Sequence, residues 1–404
     1  MGMNDTPSGE RIHIGFFGRR NAGKSSLVNA ITGQELAVVS DTRGTTTDPV
    51  QKSMELLPLG PVMIIDTPGF DDEGELGALR VRKTCQVLNR SDVAILVADS
   101  TEGLGACEQE LIRLFRKKEI PYLIAWNKCD LQKRLPVDSS QECCVSATAR
   151  TGIESLKERI GRLAKTSDDK LMLAGDLVHP GDIVVLVIPI DKAAPKGRLI
   201  LPQQMVIRDL LEADAAAVCV KEYELREVME RFRTPPALVI TDSQVFAKVS
   251  ADVPPSIPLT SFSILMARKK GLLDAAVAGV RAIEACKDGD TILIAEGCTH
   301  HRQCDDIGSV KIPRWLRNYT GKQLRIETCS GMTFPDDLSR YSLIIHCGGC
   351  MLNEREVRYR MKCAQDQGVP ITNYGTTIAY IQGILKRSIA MFPHLLAGWD
   401  ETPQ

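Results

Sequence analysis

Short apolar runs recur along the chain, and a stretch with apolar residues at helical spacing follows many of them. Such runs predict buried strands, while apolar residues three and four positions apart predict amphipathic helices. The predicted strands cover residues 12–17, 62–65, 122–126, 183–188, 216–220, 237–240, 291–295, 342–345 and 369–373. The predicted helices cover residues 26–31, 153–160, 203–213, 222–233, 272–285 and 353–367. This alternation is typical of α/β folds with parallel sheets.

The first predicted strand ends in a glycine-rich turn that is typical of phosphate binding. Residues 18–25 match the pattern G-x-x-x-x-G-K-[ST] and lie between a strand and a helix, as the pattern requires. The backbone N–H groups of such a loop, and the positive end of the helix, bind phosphates. Lys24 would reach the β- and γ-phosphates, and Ser25 would hold Mg²⁺. The predicted phosphate-binding residues are Asn21, Ala22, Gly23, Lys24, Ser25 and Ser26.

Further motifs follow later apolar runs, in the order expected of a guanine-nucleotide site. Asp66 offers a carboxylate to the Mg²⁺ shell, and the N–H of Gly69 can face the γ-phosphate. Asp130 can accept two hydrogen bonds from guanine, which adenine does not offer. The set resembles the translation-factor-like small GTPases and predicts GTP and GDP with Mg²⁺ as ligands, within a P-loop GTPase domain. The predicted base-binding residues are Asn127, Lys128, Asp130, Ser146 and Ala147.

The stretch between these motifs indicates a subclass. Residues 41–48 look like the first switch of the Era/TrmE-like GTPases, with Thr46 at the Mg²⁺-sensing position and Thr47 where that group usually has arginine. Phe70 stands where Ras-like GTPases place a glutamine that orients water, and a phenyl ring cannot do so by hydrogen bonding. We therefore expect slow intrinsic hydrolysis. The predicted catalytic residues are Lys24, Thr46, Asp66 and Gly69.

Asn21 resembles the asparagine that ligates K⁺ in cation-activated members of this group. A monovalent cation would supply the positive charge that an arginine finger supplies elsewhere. The alternative is that Asn21 only caps the loop. The first interpretation predicts a GTPase that K⁺ stimulates.

Length and composition bound the remaining possibilities. A chain of 404 residues with 44% hydrophobic residues is long enough for several domains with full cores. We expect a GTP-binding domain at 1–168, a motif-free dimerisation domain at 175–265 and a metal-binding domain at 270–404, the last two being smaller parallel-sheet α/β domains. The net charge of −1 argues against nucleic acid as a partner. No apolar run reaches membrane-spanning length and no signal peptide is present, so we expect a cytoplasmic protein.

Thiol and imidazole groups occur at metal-ligand spacing after two predicted strands. Cys298 and His300 follow the first strand, and His346, Cys347 and Cys350 end the second. The carboxyl ends of parallel strands meet at one edge of a sheet, so these groups are expected to lie together. Zinc with three cysteines and one histidine, or an iron–sulfur cluster with an incomplete cysteine set, would fit. Ordinary buried thiols and a redox C-x-x-C pair are the alternatives. Asp305 could add an oxygen ligand, and Cys304 and Cys329 are weaker loop candidates.

A GTPase head, a motif-free middle and a tail with C-x-H and H-C-x-x-C together resemble the HydF family, the maturation GTPases of iron–iron hydrogenases. The resemblance covers essentially the whole chain. It implies that Cys298, Cys347 and Cys350 ligate a 4Fe–4S cluster, and that His300 and His346 are the family's histidines and candidate ligands. It also implies a scaffold that receives or assembles a transient di-iron cluster and passes it to apo-FeFe-hydrogenase.

Partners follow from the same resemblance: the apo-hydrogenase, two radical-SAM maturases and a second copy of the chain in a homo-dimer or higher oligomer.

Two other classes of protein compete with the HydF interpretation. One is an RNA-modification or ribosome-assembly GTPase with a zinc-stabilised tail, which the Era/TrmE-like head favours. The near-neutral charge and the lack of a K-homology signature argue against that class. The other is a metallochaperone GTPase for a different metal.

Overall fold

The structure is a computed structural model that describes residues 8–33, 49–57, 59–70, 84–132, 139–164, 173–190, 199–298, 306–331 and 333–396. The chain divides into two compact units, Met1–Asp169 and Lys170–Gln404. Both units are built from parallel sheets with helices packed against them, so the predicted α/β fold class is confirmed. No helix of the described residues is long and apolar enough to cross a membrane.

The first unit contains a six-stranded sheet in the order β2-β3-β1-β4-β5-β6, in which only β2 runs antiparallel to its neighbour. Its strands are β1 Ile12–Phe17, β2 Val50–Leu56, β3 Gly60–Asp66, β4 Val93–Asp99, β5 Tyr122–Asn127 and β6 Glu142–Cys144. Its helices include α1 Lys24–Thr32, α2 Ala106–Lys117 and α3 Ile153–Ala164. Side chains alternate between the two faces of a strand. Phe16 therefore packs into the core beneath α1 and α3, and Phe17 into the core beneath α2.

The second unit contains two four-stranded parallel sheets, in the orders β10-β9-β7-β8 and β12-β11-β13-β14. The strands of the first sheet are β7 Ile183–Val187, β8 Ala216–Val220, β9 Leu238–Thr241 and β10 Leu259–Ser261. Those of the second are β11 Thr291–Ala295, β12 Arg325–Cys329, β13 Leu343–His346 and β14 Ile371–Asn373. The helices are α4 Leu201–Glu212, α5 Leu225–Arg231, α6 Phe246–Asp252, α7 Phe262–Lys269, α8 Leu273–Gly279, α9 Ile312–Thr320, α10 Glu354–Asp366, α11 Tyr374–Ile381, α12 Leu385–Ser388 and α13 Pro393–Leu396.

One continuous hydrophobic core joins the two sheets of the second unit. It includes Leu186 of β7 and Ile345 of β13. The buried side chains of α7, which lies between these strands in the sequence, belong to the same core. The side chain of Asn373 donates to the carbonyl of Ser263 at 2.9 Å, and the N–H of Gly375 donates to the Ser263 hydroxyl at 3.1 Å. The division of this unit into residues 175–265 and 270–404 stays a prediction, because α7 lies across that boundary and both sheets share its core.

The predicted strands 216–220 and 291–295 have the bounds of β8 and β11, whereas the predicted helix 272–285 is shorter. The α-helix ends at Gly279, and a 3-10 turn, Val280–Ile283, continues it. A Cβ at Gly279 would lie 2.1 Å from the carbonyl oxygen of Ile371. Glycine is therefore required where α8 touches β14, although glycine disfavours helix.

Strand β12 and helix α9 lie in the stretch between the two cysteine–histidine groups, where no element was predicted. β12 is an edge strand, and its side chains are mostly exposed, so its sequence carries no apolar run. The strand nevertheless places Cys329 opposite Ala295 at the end of β11. β13 places His346 opposite the same residue on the other side. The ends of β12, β11 and β13 therefore meet at one edge of the sheet.

Candidate functional site

The glycine-rich loop between β1 and α1 adopts a conformation that only glycine permits at two positions. Gly18 and Gly23 have φ values of +142° and +85°. A Cβ at Gly18 would lie 2.3 Å from the carbonyl oxygen of Val97, and one at Gly23 would lie 2.2 Å from the side-chain nitrogen of Asn127. The loop is thus held against β4 and β5, and backbone N–H groups of loops of this kind bind phosphate.

Lys24 is the first residue of α1, and its side chain is buried. Its ammonium group donates to the carbonyl oxygens of Gly18 at 3.0 Å and Arg19 at 2.6 Å. The lysine therefore lies over the phosphate loop, with its charge held by the loop's own carbonyls. A nucleotide phosphate would take the place of such acceptors with a full negative charge.

Ser25 and Asp66 form the pair expected at a Mg²⁺ site. The Ser25 hydroxyl donates to Oδ2 of Asp66 at 2.6 Å, while Oδ1 of the same buried carboxylate has no hydrogen-bond partner. Burial raises the pKa of Asp66, although the hydrogen bond from Ser25 and the charge of Lys24 oppose the rise. An unpartnered buried oxygen is costly, and a divalent cation would satisfy it. The donor set fits Mg²⁺.

Gly69 packs directly on the phosphate loop, where a Cβ would come within 2.8 Å of the backbone nitrogen of Arg20. The N–H of Phe70 donates to the carbonyl of Gly18 at 3.2 Å, and its ring lies in the core beneath α2. The ring thus points into the protein, and the N–H of Gly69 is placed beside the loop that binds phosphate. Thr46 lies outside the described residues, so its switch role stays a prediction.

Asn127 joins the phosphate loop to the base loop. Its buried side chain donates to the carbonyl of Ala22 at 3.0 Å and accepts from the N–H of Ala147 at 3.1 Å. Ser146 is buried, and its hydroxyl accepts from the N–H of Ala149 at 3.0 Å. Asp130 lies exposed on the 3-10 turn Cys129–Leu131, as a carboxylate that receives a base should.

Lys128 lies in the left-handed region with φ of +62°, and its ammonium group contacts Asp99 at 2.6 Å. Burial acts to raise the pKa of Asp99, but hydrogen bonds from Lys128 and Thr101 lower it overall. The aliphatic stem of Lys128 is thereby fixed next to the base loop. No feature of the local sequence indicated Asp99 as its partner.

The second site lies at the edge of the sheet where β11 and β13 end, as predicted from the parallel strands. The N–H of Cys347 donates to the carbonyl of Ala295 at 2.9 Å. The sulfur of Cys347 accepts from the N–H groups of Gly297 at 3.0 Å and Gly349 at 3.3 Å. Gly349 has φ of +64°, so the turn formed by residues 347–350, called here the C-x-x-C turn, requires a glycine there.

The thiols of this edge influence one another. Burial raises the pKa of Cys350 to about 12, and the neighbouring Cys347 and Cys298 add to the rise. Burial also raises the pKa of Cys347, although hydrogen bonds from the N–H groups of Gly349 and Gly297 act to lower it. Metal ligation requires thiolates, so metal binding by thiols of raised pKa would release protons. The three predicted cysteines therefore lie in one neighbourhood.

A closed metal site is not assembled among the described residues. Within them, no three His, Cys, Asp or Glu side chains are arranged to hold a metal ion. His300 and Asp305 fall in residues 299–305, outside the described part of the chain. Their predicted roles as ligands stay predictions.

His346 is fully buried, and both of its ring nitrogens are engaged. Nδ1 lies 2.7 Å from the carbonyl oxygen of Cys347, and Nε2 lies 3.4 Å from the guanidinium of Arg360. Burial, and then the charge of Arg360, lower the pKa of His346 to about 3. The predicted ligand is therefore a neutral ring that contacts an arginine on α10.

Two further residues of this edge were missed or given little weight. Cys329, predicted as a weak loop candidate, ends β12; burial raises its pKa to about 11, with Arg360 opposing and Cys347 adding to the rise. Glu296 is buried, donates its N–H to the carbonyl of Cys329 at 2.9 Å and accepts from the Tyr374 hydroxyl at 3.2 Å. No short motif contains either residue, because their contacts are set by strand pairing.

A phosphate loop, a Ser–Asp pair for Mg²⁺ and a guanine-binding loop on one parallel sheet define a P-loop GTPase. Residues 13–128 match the model of the 50S ribosome-binding GTPase family. Residues 173–271 match the hydrogen maturase F dimerization domain, and residues 274–391 match the hydrogen maturase F tetramerization domain. The chain therefore belongs to the HydF family, with a GTPase domain followed by the dimerization and tetramerization domains of that family.

Two curated GTPases each match less than half of this chain. The chain is 33% identical to the tRNA modification GTPase MnmE of Chromobacterium violaceum over 37% of this chain and 34% of the relative. It is 32% identical to GTPase Der of Wolinella succinogenes over 39% of this chain and 36% of the relative. The chain thus spans about a third of the length of the curated relatives it matches.

Among solved structures, Era of Aquifex aeolicus bound to GDP·AlF₄⁻ aligns with 52% of this chain and 92% of its own. The sequence identity is 19% and the TM-score is 0.35.

Proposed function

We propose that this maturation GTPase carries a 4Fe–4S cluster on Cys298, Cys347 and Cys350 and uses it to hold a di-iron precursor for apo-FeFe-hydrogenase. The observation that carries the proposal is the arrangement at the sheet edge, where three thiols are neighbours and two backbone N–H groups point at the sulfur of Cys347. N–H donors to sulfur stabilise thiolates and tune iron–sulfur clusters. Zinc would need a fourth protein ligand beside the three thiolates.

The chain's own residues would bind and orient the cluster. Cys347 is fixed by its backbone bond to Ala295 and by the two N–H groups at its sulfur. Cys350 follows from the same turn, and Cys298 from the end of β11. When bound, the cluster would supply one iron with a coordination position that the three thiolates leave open for an exchangeable ligand. His300 and Asp305 are the proposed local donors for that iron in the absence of the precursor.

The GTPase head acts in this proposal as a switch for partner binding. GTP would order Thr46 and the segment after Gly69, because both lie where the γ-phosphate and Mg²⁺ bind in such domains. That order would change the affinity for the two radical-SAM maturases and for the apo-hydrogenase. GTP hydrolysis need not drive chemistry at the cluster. The protein would act in the cytoplasm, where thiols are kept reduced.

The edge of the first sheet in the second unit supports a dimer. Within the described residues β8 pairs only with β7, and two of its five residues are exposed. An open strand edge offers unpaired backbone groups to a second copy. We therefore propose that β8 contributes to the dimer that the family match to residues 173–271 implies.

Anaerobic reconstitution tests the proposed cluster. Protein purified without oxygen and treated with iron and sulfide should be brown, bind about four irons per chain and give a paramagnetic signal on reduction. It should then activate apo-hydrogenase when the two maturases are present. A colourless protein that binds only zinc would overturn the proposal and favour a zinc-stabilised tail.

Stimulation by K⁺ tests the role proposed for Asn21. This residue is exposed in the phosphate loop with φ of +63°, a conformation that asparagine tolerates. We expect GTP hydrolysis to be roughly tenfold faster in KCl than in NaCl at equal ionic strength, short of the thousandfold or greater effect of an arginine finger. Asn21→Ala should remove the difference, whereas Asn29→Ala, on the following helix, should retain it. Equal rates in both salts would show that Asn21 only shapes the loop.

A further inference from the structure

Arg360 of α10 is a buried cation beside the cysteine edge. Its side chain is 0% exposed, and Nε donates to Oε1 of Glu356 at 2.9 Å. The guanidinium also lies 5.1 Å from the ring centre of Phe334. A buried guanidinium must have its donors satisfied, because an unpaired buried charge is strongly destabilising. The partners of its two remaining nitrogens therefore indicate what the residue is for.

Those nitrogens connect Arg360 to the ends of two strands of the sheet. Nη2 donates to the carbonyl oxygen of Gly331 at 2.6 Å, two residues after β12 ends at Cys329. Nη1 lies 3.4 Å from Nε2 of His346, the last residue of β13. One side chain thus contacts both the residue that precedes the C-x-x-C turn and the segment that follows Cys329.

The contacts of His346 determine which of its nitrogens carries the proton. A carbonyl oxygen only accepts hydrogen bonds, so Nδ1, which faces the carbonyl of Cys347 at 2.7 Å, is the donor. A guanidinium only donates, so Nε2 presents its lone pair to Arg360. The lone pair that a metal would need is therefore directed at a buried arginine. A metal bond at Nε2 would require Arg360 to leave a site where three other groups hold it.

Gly349 brings the C-x-x-C turn onto the same ring. A Cβ at Gly349 would lie 3.6 Å from Cε1 of His346 and 3.1 Å from Cγ2 of Val357 on α10. The turn thus rests on the imidazole, and the imidazole is held by Arg360. Displacement of the ring would move the turn that places Cys347 and Cys350.

We propose that Arg360 is a positioning residue of the cysteine site, that His346 is its hydrogen-bond acceptor, and that His346 is not an iron ligand. The proposal rests on the 4Fe–4S cluster proposed above for its effect on iron. The buried guanidinium also places a positive charge near Cys347, where it acts to lower the pKa of the thiol. Removing that charge disfavours the more negative, reduced cluster, so the midpoint potential should become more negative.

Two substitutions at one position separate a positioning role from a ligand role. In His346→Gln the amide oxygen can accept from Arg360, whereas His346→Leu offers no acceptor. We expect the glutamine variant to retain at least about half of the roughly four irons per chain, with the wild-type paramagnetic signal, and the leucine variant to lose most of the iron. Equal loss of iron in both variants would overturn the proposal.

Isotope labelling of histidine gives a direct reading of iron ligation. The chain has 6 histidines, and labelling them with nitrogen-15 lets pulsed paramagnetic resonance detect any imidazole bound to the reduced cluster. We expect the labelled spectrum to be the same in wild type and His346→Gln, even if another histidine contributes. A directly bound nitrogen signal that His346→Gln removes would show ligation and overturn the proposal.

The same labelled protein tests the hydrogen bonds without any cluster. Nitrogen-15 magnetic resonance of cluster-free protein should show His346 with its proton on Nδ1, and His346→Gln assigns the signal. A proton on Nε2 would overturn the proposal, whether or not the protein binds iron. If the proton is found on Nδ1 but the wild type takes up no cluster, then the proposed function fails, whereas the hydrogen bond between Arg360 and His346 is supported.

Arg360 is tested with charge-retaining and charge-removing variants. Arg360→Lys keeps the charge, whereas Arg360→Met keeps only the apolar stem. We expect the potential to move negative in Arg360→Met and to return most of the way in Arg360→Lys. If Arg360→Met does not fold, the lysine variant and the two His346 variants still decide the matter. An unchanged potential and iron content in a folded Arg360→Met would overturn the role of Arg360.

Discussion

Lys24→Ala should lower kcat/KM for GTP by roughly a hundredfold to a thousandfold, as expected when one preorganised charged donor to a transition-state oxygen is removed. The structure places this ammonium group over the phosphate loop, on the carbonyls of Gly18 and Arg19, where no second lysine is described nearby. The neutral methyl group cannot offset the charge that develops on the β- and γ-phosphates. Steady-state phosphate release and nucleotide binding measured by fluorescence would check the effect.

Lys117→Ala is the matched control for this variant, because Lys117 is an exposed lysine near the end of α2 in the same unit. Its rates should equal those of the wild type. The cysteine edge lies in the other compact unit, so Lys24→Ala should bind iron as the wild type does. Near-normal hydrolysis by Lys24→Ala would contradict the assignment of the phosphate loop.

Cys347→Ser should abolish cluster binding and, with it, activation of apo-hydrogenase. Cys347 is the cysteine at which two N–H groups converge, and its backbone is fixed to β11. A serine hydroxyl at that position remains protonated and is a poor ligand for iron in a sulfide cluster. We expect iron content to fall from about four per chain to near zero, since two thiolates do not hold a cubane. Iron analysis and the paramagnetic signal after reconstitution would check this.

GTP hydrolysis by Cys347→Ser should be unchanged, which separates a local loss from general misfolding. Cys219→Ser, at an exposed position on β8, is the control for replacing a cysteine with serine. It should retain the iron content of the wild type. A brown, fully active Cys347→Ser would show that the thiolates of the cluster lie elsewhere.

The nucleotide-binding residues could be predicted because each group is a short contiguous motif. Residues 18–25 carry their own glycines, lysine and serine, and the surrounding apolar runs identify the strand and the helix. The hydrogen bonds of Asn127 to both loops could not be predicted, since Ala22 lies 105 residues away in sequence and Ala147 lies 20 away. The motif identifies the residue, and only the folded sheet gives its contacts.

The cysteine edge was predictable only in part, for a related reason. Cys298, Cys347 and Cys350 follow apolar strands, so their common location could be expected. Arg360 could not, because a buried arginine on a helix with a polar sequence looks like an exposed one until its partners are known. Its contacts to Gly331 and His346 span 29 and 14 residues. Cys329 was misplaced in a loop because its edge strand has no apolar run.

The interpretation of His346 shows how a motif can hide the role of a side chain. Imidazole beside thiolates is a common metal ligand, and the sequence offered no reason to exclude it. In the structure, the ring lies between Arg360 and its own neighbouring carbonyl. Breaking a buried ion pair such as that of Arg360 with Glu356 by removing one partner costs about 3–5 kcal/mol. The ion pair of Arg360 with Glu356 therefore matters for the stability of the fold as well as for the cysteine site.

The single core that joins the two sheets of the second unit constrains how such a chain can be divided. The hydrophobic side chains of α7 and α8 pack into one cluster with strands of both sheets, and Asn373 is hydrogen bonded to Ser263. A cut between residues 271 and 274, where the two family matches meet, would expose that cluster on both fragments. The oligomerisation and cysteine segments are therefore one unit of folding. The GTPase head has hydrophobic cores of its own, so we expect it to fold without the second unit.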